Sequence, residues 1–204
     1  MRARQPDRAD VVERNGVNVA YEVVGAGEPG LLLIPAAPIS HARSWKGLVP
    51  FLSRHFTVVT VDPRGNGPSD RPAGRAAYAP AEILADQLAV LDTVGLTRAV
   101  VVAHCHAVPW ALRLAADHAH RVSGVVAIAP AIALAPRDEH WAEPTERWAD
   151  EIDNPTGWGL CNRHFWRQDY PAWPRFFFDC CPSRTPPSST RTRSRGPSRP
   201  IPRR

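Results

Sequence analysis

With 204 residues, 44% hydrophobic and 22% charged, the chain suffices for one domain with a buried core, and no segment approaches the roughly 18 apolar residues of a membrane-spanning helix. Its formal charge of +5 suggests a nucleic-acid partner, but the distribution argues against one. Residues 182–204 carry seven of the 25 basic residues and no acid, so residues 1–181 hold 18 basic against 20 acidic groups, a net −2.

The first residues, Met1–Asp7, contain no apolar run that could form a signal-peptide core, so a cytoplasmic location is expected. Cys105, Cys161, Cys180 and Cys181 lack metal-ligand spacing and a secreted context, so no metal, cofactor or disulfide framework is expected. Residues 1–9 read as an N-terminal extension. Val11–Arg14 and Val17–Val24 alternate around Asn15-Gly16, a two-residue turn signal, and predict an antiparallel hairpin. Gly30–Ile34 is wholly apolar and suits a strand buried on both faces. Trp45, Leu48 and Leu52 place a helix over Ser40–Leu52, and Phe56–Val61 is the next strand. Pro80 then opens a helix over Ala81–Val94 with Ile83, Leu84, Leu88, Leu91 and Val94 on one face, closed by Gly95. Strands follow at Ala99–Val102 and Val122–Ile128. This alternation of strands and helices implies an α/β fold with a mainly parallel sheet.

Two stretches carry more than secondary structure. Ala99–His118 reads as strand, sharp turn and helix, with the turn in the pattern small-x-Cys-x-small: Ala103 and Ala107 lie two residues either side of Cys105. Asp62-Pro63-Arg64-Gly65-Asn66-Gly67-Pro68-Ser69-Asp70-Arg71-Pro72 is a glycine-rich turn after a strand. The first resembles the G-x-S-x-G nucleophile elbow of the α/β-hydrolase family, with Cys in place of Ser and Ala in place of both Gly. The second closely resembles the same family's D-x-R-G-x-G-x-S-D-x-P turn and is the more specific of the two. Its expected role is structural, with Arg64 and Asp70 pairing locally. The resemblance runs from Val11 to about Pro136.

The resemblance implies an α/β-hydrolase-type sheet with flanking helices over residues 10–130. It also implies a partial helical cap over 131–181, where Trp141, Trp148, Trp158, Trp166, Trp173 and neighbouring Phe and Tyr residues concentrate. Such a cap suits a small-molecule substrate with an acyl or apolar group, although packing of the rings on one another explains the aromatic content equally well. Cys105 takes the nucleophile position, where the following helix N-terminus favours a thiolate. The backbone N–H groups of Ala37, in the Pro35-Ala36-Ala37-Pro38 loop, and of His106 take the oxyanion-hole positions. His104 is expected to pack. His106 is expected to line the pocket, since adjacent residues on a tight turn point apart and neither His suits Cys105 as a base.

The family's triad acid and His should follow a further strand beyond the cap. Residues 182–204 instead form an Arg/Pro/Ser-rich tail without hydrophobic period, the product expected of a reading-frame change near Cys181, so the C-terminal strands are expected to be missing. Two functions follow. One is hydrolysis of an ester, thioester or lactone through Cys105; the other is a non-catalytic fragment or pseudoenzyme that keeps a ligand pocket. The sequence leaves the oligomeric state open.

Overall fold

The computed structural model of the chain describes residues 4–36, 40–132 and 147–180. It divides into two compact units, Met1–Arg137 and Asp138–Arg204.

The first unit is built on a six-stranded sheet: β1 (Arg8–Arg14), β2 (Val17–Val24), β3 (Leu31–Ile34), β4 (Val58–Val61), β5 (Ala99–His104) and β6 (Val122–Ile128), in the spatial order β1-β2-β4-β3-β5-β6. β2 is antiparallel to both β1 and β4, and the remaining pairings are parallel. Asn15 and Gly16 turn the expected hairpin with φ of 54° and 75°, the left-handed pair that a two-residue turn needs. β1 begins at Arg8, earlier than the sequence pattern suggested. Asp7 anchors that end, because its N–H donates to Val23 O at 2.9 Å and its carboxylate accepts from Gly25 N–H at 2.7 Å.

β3 and β4 are buried at every position, as strands covered on both faces must be. Alternation sends their side chains into two separate cores. Leu32, Ile34, Val59, Val61, Val101 and Ala103 pack with α2 (Pro80–Val94) and α3 (Val108–Asp117). Leu31, Leu33, Val58 and Val102 pack on the other face with Trp45 and Val49. The single helix expected over Ser40–Leu52 is instead a 3-10 turn, Ala42–Trp45, followed by the four-residue helix α1 (Val49–Leu52). Gly47 and Pro50 lie in this stretch and weaken a continuous helix, and Leu48, expected on the buried face, is exposed. β6 closes the sheet as an edge strand and leaves Val126 and Ile128 exposed.

On α2 the buried face is not purely apolar. Ile83, Leu84 and Leu91 are buried as expected, Leu88 and Val94 are only partly buried, and Val90, Asp86 and Gln87 are buried although the pattern did not mark them. Asp86 lies at the centre of a charge network: Arg64 donates to its carboxylate through Nε and Nη2, each at 2.7 Å, and Arg14 Nε donates to it at 2.7 Å. Arg14 also pairs with Glu82. Arg64 therefore does not pair within its own turn, as the sequence suggested, but reaches 22 residues along the chain. Asp70 likewise leaves the turn, accepting from the backbone and side-chain amides of Asn18 at 2.7 and 3.0 Å. Both residues tie the glycine-rich turn to its neighbours, and that role is structural.

In the second unit, α4 (Arg163–Asp169) and α5 (Ala172–Cys180) follow a 3-10 turn at Gly157–Leu160. Asn162, 1% exposed, holds this unit together with all of its amide. Its Oδ1 accepts from His164 N–H and Phe165 N–H, capping α4, and its Nδ2 donates to the carbonyls of Arg147 and Asp150 at 2.9 and 2.8 Å. The aromatic side chains pack on one another: Trp148 on Trp166 at 4.7 Å, Trp166 on Tyr170 at 5.2 Å, and Trp158 on Trp173 at 5.8 Å between ring centroids. The aromatic content is thus taken up largely by internal packing. Trp141 and the tail from 182 onwards lie outside the described residues. No helix among the described residues is long and apolar enough to cross a membrane.

Candidate active site

The order of the strands locates the site. From β3 the chain moves to β4 on one side, then crosses back over β3 to β5 on the other, and the connections after β3 and β5 leave toward opposite faces of the sheet. Divergence of this kind opens a crevice at the carboxyl ends of the two strands. Ile34 and Ala103 are paired in register, so the loop starting at Pro35 and the turn starting at His104 emerge side by side.

Cys105 occupies that turn with φ of +53°, a left-handed backbone conformation uncommon for any residue other than glycine. It follows the extended His104 and opens the 3-10 turn Cys105–Ala107 that leads into α3. The strain persists because both sides are fixed: Ala103 and Ala107 are completely buried. The Cys105 carbonyl accepts from Ala131 N–H at 3.2 Å and also from Val108 N–H. Alanine at both flanking positions supplies the small volume that the close approach of strand and helix demands. The half-buried Cys105 is therefore held at a sharp strand-to-helix turn. No disulfide joins the described cysteines.

The neighbouring histidines take different roles. His104 packs edge-on against Trp45, with ring centroids 6.4 Å apart. His106 borders a cavity of about 510 Å³ with Trp110, Tyr78 and the turn at Pro63–Asn66, and desolvation holds its imidazole below its ordinary pKa. Its neutral form is therefore favoured at pH 7. Ala37, the other expected oxyanion donor, lies outside the described residues. What precedes and follows it is anchored: Ser40 Oγ donates to Ala36 O, and Ala42 N–H donates to Asp62 Oδ1.

Asp62 was missed as a site-shaping residue because its role depends on distant contacts. Besides holding Ala42, its carboxylate rests against Gly67, where an added Cβ would come within 2.1 Å of Oδ2 and where φ is already +50°. Gly67→Ala is expected to lower stability by about 1–3 kcal/mol, seen as a lower urea midpoint at unchanged m-value. An unchanged midpoint would show that the turn can yield at this point.

Two further carboxylates near the turn are committed elsewhere: Asp86 to Arg64 and Arg14, Asp70 to Asn18. Among the described residues no cluster of three or more His, Cys, Asp or Glu could hold a metal ion.

The family model for the alpha/beta hydrolase fold matches residues 29–199. Epoxide hydrolase A of Mycobacterium tuberculosis is 36% identical over 124 residues, covering 58% of this chain and 37% of that protein. A 2-heptyl-3-hydroxy-4(1H)-quinolone dioxygenase of Mycobacteroides abscessus is 31% identical over 146 residues, 68% of this chain and 53% of that protein. A solved alpha/beta hydrolase from Nostoc sp PCC 7120 superposes with a TM-score of 0.67 at 25% identity, covering 84% of this chain and 59% of that one. The matched part of this chain thus spans about a third to a half of the length of these two curated relatives. A mainly parallel sheet with a strained Cys at the end of β5, the glycine-rich turn after β4 and the family match over 29–199 have one meaning: this chain belongs to the alpha/beta hydrolase fold family.

Proposed function

We propose that Cys105 is the nucleophile of an acyl-transfer centre that hydrolyses an ester, thioester or lactone of a small molecule with an acyl or apolar group. The observation that carries this reading is the φ of +53° at Cys105, between β5 and α3. A bulk-filling core thiol needs no strained backbone, whereas a side chain aimed out of a strand-to-helix turn does. The thiolate attacks the carbonyl carbon, and the oxyanion is held by the N–H groups of Ala37 and His106. The C–O or C–S bond to the leaving group breaks, and the leaving group takes a proton from solvent. Water then cleaves the acyl thioester and restores the thiol. A reactive thiol suits a reducing, cytoplasmic compartment. The related proteins named above carry different activities, so the fold supplies the site and its side chains set the reaction.

The second reading, a non-catalytic chain that keeps a ligand pocket, draws support from the carboxylates. Asp62, Asp70 and Asp86 are each engaged in structural hydrogen bonds, which leaves none of the three at liberty to orient a catalytic base. Incubation with p-nitrophenyl acetate, followed by intact-mass measurement and release of p-nitrophenol, separates the two. Turnover through a transient acyl adduct on Cys105 is the expected result. A stoichiometric, persistent adduct favours the second reading, and neither adduct nor turnover overturns the nucleophile assignment.

A further inference from the structure

We propose that the cavity between the Pro63–Asn66 turn, α2 and the start of α3 is a ligand site for a neutral aromatic ring bearing one hydrogen-bonding group. Its volume of about 510 Å³ falls in the range of small-molecule sites and suits one or two rings.

The walls are aromatic and aliphatic. Tyr78 lies against Gly65, where an added Cβ would come within 2.9 Å of the ring's Cε1, so the glycine is what allows the ring to lie on the turn. Gly65 has φ of +89°, and its N–H donates to Asp70 O at 2.8 Å, which fixes this wall. Trp110, half-buried on α3, and Ile83, 6% exposed on α2, complete the apolar lining. Tyr78 and Trp110 both retain accessible ring surface, on which a flat ligand can stack.

The polar groups limit what the ring can carry. Arg64 reaches the lining, but Asp86 occupies its Nε and Nη2, and Ala77 O accepts from its Nη1 at 2.7 Å. Its charge is neutralised by a buried carboxylate, so it does not attract an anion. His106 borders the space with its imidazole, and Asn66 adds an amide. A ring with a single hydroxyl or N–H matches this set, and a carboxylate does not. The cavity is bordered by His106 rather than by the Cys105 side chain, so the assignment does not rest on Cys105 as nucleophile.

Calorimetric titration of the full chain with phenol, and separately with benzoate, tests it. Phenol is expected to bind saturably at one site with Kd on the order of 1 mM. The affinity should fall about tenfold in Trp110→Ala and in Tyr78→Ala, while benzoate should bind at least about tenfold more weakly. Tyr78 is 38% exposed, so its variant keeps the test decisive even where Trp110→Ala fails to fold. Phenol binding that does not saturate, that is unchanged in Tyr78→Ala, or that is matched by benzoate overturns the assignment.

Discussion

Cys105→Ala is expected to remove acyl-adduct formation and to lower turnover of a p-nitrophenyl ester by at least about 100-fold, with folding intact. On the proposed mechanism this magnitude follows from losing the nucleophile outright: without sulfur, only water attack assisted by bound N–H groups would remain. Alanine at a left-handed position carries no more steric burden than cysteine, so the urea midpoint should stay within about 0.5 kcal/mol of the parent. Cys105→Ser should retain the backbone and show intermediate activity, since an unassisted hydroxyl is a weaker nucleophile than a thiolate. Retention of most turnover in the alanine variant would falsify the assignment.

Asp86→Ala is expected to give the largest loss of stability, about 3–5 kcal/mol, read as a fall in melting temperature on the order of 10 °C. Arg64 and Asp86 have side chains only 3% and 1% exposed, joined by two hydrogen bonds of 2.7 Å, so removing the carboxylate leaves a buried guanidinium with little solvent to replace it. The asymmetry of such pairs supplies the control. Arg64→Met combined with Asp86→Leu removes both charges and should recover much of the loss, because packed apolar groups replace a desolvated pair at little cost. Arg14 keeps its partner Glu82 in that background. A single variant as stable as the parent would mean that water reaches this network.

Local pattern was enough to read much of the architecture. The four apolar residues of β3, the Asn15-Gly16 turn and the Pro80 and Gly95 ends of α2 each follow from backbone chemistry within a few residues, and each is where the pattern put it. The elbow was legible for the same reason: small residues at 103 and 107 make a close strand-to-helix approach feasible whatever else the chain does. Long-range pairing was not legible. Nothing near Arg64 in sequence marks Asp86 rather than Asp70 as its partner, and the aromatic residues of the second unit read equally well as a substrate lining or as packing on one another. The break between the Ala42–Trp45 turn and α1 is hidden in the sequence, since Trp45, Leu48 and Leu52 keep helical spacing across it while Gly47 and Pro50 interrupt the helix.

The backbone at position 105 also acts as a filter on amino-acid identity. A left-handed φ is costly for β-branched side chains, so Thr, although it carries a hydroxyl, is a poor occupant, while Ser and Asn as well as Asp fit beside Cys. Each of these places a different reactive or inert group at the same point above the crevice, and none requires the sheet to be rebuilt. In evolutionary terms, the scaffold can exchange its chemistry by a change at one codon, while the buried contacts that enforce the turn stay fixed.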